Sequence, residues 1–217
     1  MIHGAASTLA VTVDDVIYHT RCVARAIQYP LLIADMPFMS YHDKPTASIT
    51  AQRLIAEGGA SMVKLEGGGT QRAEVVAHLA DQGVSICGHL GLTPQYVHRF
   101  GGFKVQGRGE AAAEIIQQQA LELEQAGIQL IVLEGMPHQL AANISQQLSI
   151  PTIGIGAGAE VDGQVLVLHD MLGMNPRPAR FVRDFLSTGN SVQNAIEMYI
   201  QAVQDGSFPN PQESYTD

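Results

Sequence analysis

Ionisable side chains stand where short apolar runs of this 217-residue chain come to an end. The residues in these positions are Asp35, Lys64, Glu66, His89, Glu134, His169 and Asp170. A single acidic residue after a strand is usually a helix cap or a solvated loop residue, but five of the six runs share the pattern here. Because ligands of parallel α/β folds bind at the carboxyl ends of the strands, these side chains are predicted to converge on one rim.

The carboxylates Asp35, Glu66 and Glu134 indicate a cation site. Mutual repulsion would raise their pKa values unless a cation lay among them. Oxygen ligands without a cysteine cluster suit a hard ion, Mg²⁺ or Mn²⁺, better than structural Zn²⁺. Such an ion can chelate a 2-oxo acid and stabilise its enolate, while one carboxylate held off the metal takes the proton.

Lys64 and His89 each leave more than one interpretation open. Lys64 could form a Schiff base or pair with a substrate carboxylate, and an acidic metal site beside it favours the second role. An internal salt bridge to Glu66 or Glu134 explains Lys64 equally well. His89 can hydrogen-bond a substrate or a ligating carboxylate, or it can be a structural histidine whose hydrogen bonds are satisfied.

Two glycine-rich segments are candidates for ligand binding. The connection 90–109 carries Arg99, Lys104 and Arg108 without an acidic residue, which is typical of a lid over an anionic ligand, a contact with an acidic subunit, or a mobile loop. The segment 154–159 matches the dinucleotide fingerprint, but the next apolar run follows too soon for the helix that this motif requires. Its glycines more plausibly allow close approach of a ligand or a packed helix.

The order of elements predicts an α/β domain with a parallel sheet. The expected strands are 31–34, 62–65, 84–87, 130–133, 152–155 and 165–168. The expected helices are 13–28, a helix from Pro45 to Gly58, 70–82, 110–126, 138–148, 179–186 and 191–205. No linker divides residues 1–217, so one domain is expected, either doubly wound or a (βα)₈ barrel. Six units are too few for a complete barrel of about 250 residues.

Composition excludes several classes of protein. The net charge of −9 disfavours nucleic acid and anionic membrane surfaces as partners. No apolar run approaches the ~20 residues of a membrane span, and no signal peptide is recognisable at the start. The two cysteines form no disulfide framework, which favours a reducing, cytoplasmic compartment.

The chain closely resembles the ketopantoate hydroxymethyltransferase family. The matching motifs are STLAVTVDD at Ser7, LLIADMPFMSY at Leu31, MVKLEGG at Met62, CGHLGLTPQ at Cys87, GGFKVQGR at Gly101, LIVLEGMP at Leu130, IGIGAG at Ile153 and GQVLVLHDMLG at Gly163. The resemblance covers the whole chain in order. It implies a (βα)₈ TIM-type barrel of the phosphoenolpyruvate/pyruvate superfamily, and bacterial members look like decamers.

The resemblance also implies an activity and roles for four residues. The family transfers a hydroxymethyl group from 5,10-methylenetetrahydrofolate to 3-methyl-2-oxobutanoate in pantothenate biosynthesis, with Mg²⁺ as the metal. By motif, Asp35 corresponds to a ligand of metal and substrate, and Lys64 to the residue that binds the substrate carboxylate. Glu66 corresponds to a residue close to the metal, and Glu134 to the proposed proton acceptor.

One departure from the family pattern bears on activity. Family members carry an amino-terminal segment with the first two barrel strands, and a Val-Gly-Asp-Ser motif there supplies another metal-ligating aspartate. This chain starts just after that motif, so residues 1–217 are expected to form an incomplete barrel, with a mobile tail over 207–217. The alternatives are an inactive truncated fragment that assembles with full-length subunits, or another superfamily carbon–carbon lyase acting on a 2-oxo acid.

Overall fold

Six parallel strands pair in the order in which they occur along the chain. The computed structural model describes Ile2 and residues 4–217. The strands are β1 Ile33–Asp35, β2 Met62–Glu66, β3 Ile86–Gly91, β4 Leu130–Glu134, β5 Thr152–Ile155 and β6 Gly163–Gln164. Each is hydrogen-bonded to the next in the order β1-β2-β3-β4-β5-β6. The predicted parallel α/β sheet is confirmed, and this sequential order differs from the reversed strand order of doubly wound folds.

Helices connect the strands and cover the sheet. They are α1 Val13–Ala24, α2 Lys44–Ala56, α3 Thr70–Asp81, α4 Val97–Phe100, α5 Glu110–Ala126, α6 His138–Gln147, α7 Leu168–Met171, α8 Leu186–Gly189 and α9 Val192–Gln204. The predicted capping box before α1 is present, because Thr12 and Asp15 each accept a backbone N–H of the other. Among the described residues, no helix is long and apolar enough to cross a membrane.

The two faces of the sheet carry different apolar cores. Val63 and Ile131 belong to a cluster that includes side chains of α2, α3, α5 and α6, and we call this side the helix face. Met62, Cys87 and Val132 belong to a second cluster on the opposite side, which we call the site face. Alternate residues of a strand point to opposite faces of the sheet. Both sets of residues are largely apolar here, so each face carries its own core.

Two predicted elements near the carboxyl end are wrong. The sixth strand is Gly163–Gln164 rather than 165–168, and Leu168–Met171 is a helix. Within the described chain β6 pairs only with β5, so residues 165–168 have no second strand to continue the ladder. The predicted helix 179–186 is absent as well: residues 179–185 are not helical, and the Asp184 carboxylate accepts the N–H groups of Leu186 and Ser187 at the start of α8.

The connection 90–109 is more ordered than the sequence suggested. Strand β3 continues to Gly91, a 3₁₀ turn spans Pro94–Tyr96, and α4 follows it directly. The remaining part, 101–109, leads into α5.

Gly91 allows a close approach between β3 and β4 beside Glu134. Its φ is +90°, and a Cβ atom there would overlap the carbonyl oxygen of Glu134. We expect Gly91→Ala to lower the free energy of unfolding by about 2 kcal/mol more than Gly83→Ala does. Gly83 has a comparable φ of +79° but open space around its Cβ position, so it isolates the cost of positive φ. Urea unfolding curves measure the difference, and equal losses for the two variants would contradict the steric explanation.

Candidate active site

Strand register brings the predicted polar residues to one end of the site face. Asp35 lies beside Lys64, Glu66 lies beside His89, and Glu134 lies beside Gly91. Lys64 and Glu66 stand two and four residues after Met62, so they point to the same face as that core residue. The apolar cluster of the site face therefore forms a floor beneath a group of ionisable side chains.

These side chains form a continuous row from β1 to β4. Lys64 Nζ lies 3.1 Å from Asp35 Oδ1 and 3.3 Å from His89 Nδ1. On the other side of the ring, His89 Nε2 lies 3.1 Å from Glu134 Oε2. We call Asp35, Lys64, His89 and Glu134 the polar row. The carboxylate at salt-bridge distance from Lys64 is that of Asp35, rather than Glu66 or Glu134, the partners expected for an internal salt bridge.

The Lys64 ammonium is held in its charged form. Its side chain is only 16% exposed, and burial alone would lower its pKa. The carboxylates of Asp35 and Glu66 outweigh burial, so the pKa of Lys64 lies above its ordinary value. Below it, burial raises the pKa of the Cys87 thiol to about 12, in agreement with the packing role predicted for that residue.

His89 has one ring nitrogen without a well-aligned partner. Lysine is only a donor, so the contact with Lys64 makes Nδ1 the acceptor and leaves the proton of the neutral ring on Nε2. Nε2 is buried, and its short contact with Glu134 does not have hydrogen-bond geometry. The Nε2 proton is therefore free for donation to Glu134 once the two side chains align.

Glu66 is buried at 6% exposure and is held by residues to which the sequence analysis gave no role. The Gln95 backbone N–H donates to Glu66 Oε2 over 2.9 Å, and the Tyr41 hydroxyl accepts the Glu66 backbone N–H. Tyr41 in turn donates to the Gln95 side chain over 2.6 Å. Tyr41 lies at the end of the motif LLIADMPFMSY and Gln95 at the end of CGHLGLTPQ. Because neither residue is charged, the pattern of ionisable residues at strand ends does not identify them.

Asp35 and Glu66 suit a hard cation in their chemistry. Burial raises the pKa of Glu66, and the Gln95 N–H and the Lys64 ammonium offset this only in part, so a cation would stabilise its ionised form. The side chain of Asp35 is 60% exposed and accessible to a ligand. In the part of the chain that the structure describes, no group of three His, Cys, Asp or Glu could hold a metal ion. Two carboxylates are nevertheless an adequate protein contribution for Mg²⁺, which retains waters and substrate oxygens.

Other residues singled out in the sequence lie outside the polar row. Asp170 is on α7 rather than at a strand end, and its carboxylate accepts a hydrogen bond from Asn175. The connection 90–109 borders a cavity of about 250 Å³, where Tyr96, Arg99 and Phe100 face α5. Its role as a lid stays a prediction.

The glycines of segment 154–159 allow close packing, as the sequence analysis expected. A Cβ atom at Gly156 would overlap the ring of Phe181, and one at Gly158 would overlap His138 at the start of α6. The segment does not open a helix, so the rejection of a dinucleotide site agrees with the fold.

Comparisons with known proteins agree with the motifs. The sequence profile of ketopantoate hydroxymethyltransferase matches residues 1–211. The 3-methyl-2-oxobutanoate hydroxymethyltransferase of Halorhodospira halophila is 51% identical over 215 residues, which are 99% of this chain and 78% of that protein. The protein of the same name from Burkholderia mallei is 54% identical over 217 residues, covering 99% and 79% respectively.

A solved structure supports the fold independently. Phosphonopyruvate hydrolase in complex with oxalate and Mg²⁺ superimposes with a TM-score of 0.56 over 95% of this chain and 74% of its own, at 12% sequence identity. That identity shows a shared fold and no more. The extent and identity of the two sequence matches settle the family: the chain belongs to the ketopantoate hydroxymethyltransferases.

Proposed function

We propose that this chain, in a completed barrel, forms ketopantoate for pantothenate biosynthesis. It would transfer a hydroxymethyl group from 5,10-methylenetetrahydrofolate to 3-methyl-2-oxobutanoate, with water supplying the hydroxyl oxygen. The observation that carries the proposal is the polar row, which places an ammonium and a carboxylate on either side of His89. A small 2-oxo acid offers a carboxylate at one end and an acidic C–H at the other. The ammonium of the row can bind the first, and the carboxylate can remove the proton from the second.

Lys64 is proposed to bind the substrate carboxylate. Its raised pKa keeps it charged at neutral pH, and a charge-assisted hydrogen bond would fix that end of the substrate. Asp35 and Glu66 are the residues that would hold Mg²⁺, and Asp35 would also contact the substrate. When bound, the ion supplies Lewis-acid polarisation of the keto oxygen.

Glu134 is proposed to remove the proton from C3 of the substrate. The carboxylate lies at the end of β4, on the far side of His89 from the Lys64 anchor. His89 Nε2–H can stabilise the ionised carboxylate, and it can orient Glu134 before the proton moves. The resulting carbanion equivalent attacks the one-carbon unit and forms the new carbon–carbon bond. Water hydrolyses the C–N bonds that join this unit to the folate, so that tetrahydrofolate leaves and the water oxygen becomes the hydroxyl oxygen of ketopantoate.

Replacing Glu134 by Gln should stop C3 deprotonation while substrate still binds. Loss of a general base typically lowers the rate by about 10²–10⁴-fold. Deuterium uptake at C3 of 3-methyl-2-oxobutanoate in D₂O, followed by NMR, measures this step without folate. Glu114→Gln, at an exposed position of α5, is the matched control and should exchange at the wild-type rate. C3 exchange at the wild-type rate in Glu134→Gln would show that Glu134 is not the base.

Lys64 should form no covalent adduct with the substrate. An ammonium with a raised pKa is a poor nucleophile, and the proposed chemistry needs no imine. After borohydride treatment in the presence of 3-methyl-2-oxobutanoate, mass spectrometry of the Lys64 peptide should give the unmodified mass. A reduced adduct that is absent from Lys64→Met would instead establish a Schiff-base mechanism.

Dependence on the folate distinguishes the proposed transferase from the second candidate. A carbon–carbon lyase of the same superfamily would act on a 2-oxo acid without a one-carbon donor. Phosphonopyruvate hydrolase shares the fold, so the architecture is compatible with both. The sequence matches to hydroxymethyltransferases favour the first.

The complete barrel is proposed to need two more strands. In the described chain β1 pairs only with β2, and β6 only with β5. Leu31 before β1 and Val165 after β6 are 57% and 42% exposed, as expected of apolar residues that a neighbouring strand would cover. About a fifth of each relative lies outside its match to this chain. We infer that this part supplies the two strands that close a (βα)₈ barrel, and with them another aspartate ligand.

Extending the chain should therefore improve both solubility and turnover. The extended form would carry the segment of the Burkholderia mallei relative that precedes its match to this chain. We expect it to be soluble and to form ketopantoate in a folate- and Mg²⁺-dependent manner, with light scattering reporting a homo-oligomer such as a decamer. The 217-residue chain alone should aggregate and be nearly inactive. A soluble, fully active 217-residue form would contradict the need for further strands.

The same proposal places the protein in the cytoplasm with small molecules as its ligands. Both cysteines are free thiols, Cys22 exposed and Cys87 buried, which is compatible with a reducing compartment.

A further inference from the structure

The carboxyl-terminal segment is attached to the domain at two anchor points. Phe208 is 4% exposed and packs edge-on against Phe185 and Tyr199, with ring centroids 5.6 and 5.7 Å apart. Further along, the guanidinium of Arg183 donates to both carboxylate oxygens of Glu213 over 2.7 Å each. We call residues 207–215 the C-terminal strap. These contacts are more extensive than expected for the mobile tail predicted over 207–217.

The strap ends on the loop that follows Glu134. Tyr215 forms a parallel β-bridge with Pro137, and its carbonyl oxygen accepts the His138 backbone N–H over 2.9 Å. His138 is the first residue of α6, and the residue before it, Pro137, has no side chain that can cap the helix. The first N–H groups of a helix need acceptors from outside, so Tyr215 supplies a cap that the local sequence lacks.

The loop 135–137 is held by neighbours on other sides as well. The Gly135 carbonyl accepts the Gln106 N–H over 2.9 Å, and the Met136 N–H donates to the Gly156 carbonyl over 3.2 Å. These contacts join the loop to the connection 90–109 and to the segment that follows β5. The strap is the third support, and it secures the end of the loop where α6 begins.

The ring of Tyr215 packs against residues that follow α7. It packs edge-on against Phe181, with centroids 6.4 Å apart, and Arg180 lies 5.5 Å from its centroid. Burial raises the pKa of the phenol; Arg180 and Arg108 lower it, and Glu134 raises it. Tyr215 is therefore within electrostatic range of the Glu134 carboxylate at the end of β4.

We propose that the C-terminal strap is a positioning element for Glu134: by capping α6 and pairing with Pro137, Tyr215 fixes the β4–α6 loop and thereby the carboxylate at its start. Tyr215 is a positioning residue, since it acts through the loop rather than on the reacting atoms. This inference rests on the proposed role of Glu134 as the base. It predicts that loosening the strap slows proton removal without weakening substrate binding.

Two truncations of the extended form test the proposal. Ending the chain after Glu213 removes Tyr215 but keeps the ion pair with Arg183. Ending it after Tyr215 removes only Thr216 and Asp217 and is the matched control. Hydrogen exchange of the His138 amide reports the cap, C3 deuterium uptake reports Glu134, and the KM for 3-methyl-2-oxobutanoate reports binding.

The variant that ends after Glu213 should lose protection at the His138 amide and exchange C3 about 10- to 100-fold more slowly. Its KM should stay within twofold of the control. Wild-type C3 exchange despite lost protection would overturn the positioning role, as would unchanged protection. A parallel loss of protection throughout the domain would show a general structural role and would also contradict the proposal.

If the variant that ends after Glu213 does not fold, substitutions in the full-length strap provide the test. Tyr215→Ala retains every backbone group but loses the packing against Phe181, so C3 exchange should slow, whereas Tyr215→Phe should match the wild type. Wild-type exchange by Tyr215→Ala would overturn the proposal. If the unaltered extended form neither exchanges C3 nor makes ketopantoate, the proposed function fails, and His138 protection still reports separately on the cap.

Discussion

A largely buried ammonium at the carboxyl end of β2 is the constraint on which the site depends. Lys64 lies over an apolar floor, where an unpaired charge would be strongly unfavourable. Asp35 supplies the countercharge and His89 an acceptor, and together they set the geometry of the polar row. Because breaking a buried pair leaves an uncompensated charge, these residues have little freedom to vary independently.

Strand register converts this local requirement into an arranged site. Asp35, Lys64 and His89 lie on three adjacent strands, and a shift of one residue in any of them would move its side chain to the helix face. On the fourth strand, Glu134 depends on the loop that follows it. That loop is held by backbone hydrogen bonds to β5, to the connection 90–109 and to Tyr215. Three distant parts of the chain therefore position the Glu134 carboxylate.

The sequence predicted the part of the structure that depends on local pattern. Strands β2, β4 and β5 and helices α3, α5 and α6 lie within a residue or two of expectation, because apolar runs and terminal glycines identify them directly. The four proposed site residues were found because charge at the end of an apolar run is conspicuous. Residues 165–168 were misassigned because strand formation depends on a neighbour that local sequence does not reveal. Gln95 and Tyr215 were missed because their contacts are made over long sequence separations, partly through backbone atoms.

The central claim is that the two ends of the polar row have separate tasks, one binding the substrate and the other moving its proton. Calorimetric titration of the extended form with 3-methyl-2-oxobutanoate in Mg²⁺ tests this division directly. Removing the ammonium in Lys64→Met should raise Kd roughly 10- to 100-fold, the value of a charge-assisted hydrogen bond, whereas Glu134→Gln should bind within twofold of the wild type. Equal losses of affinity in the two variants, or a larger loss in Glu134→Gln, would contradict the account.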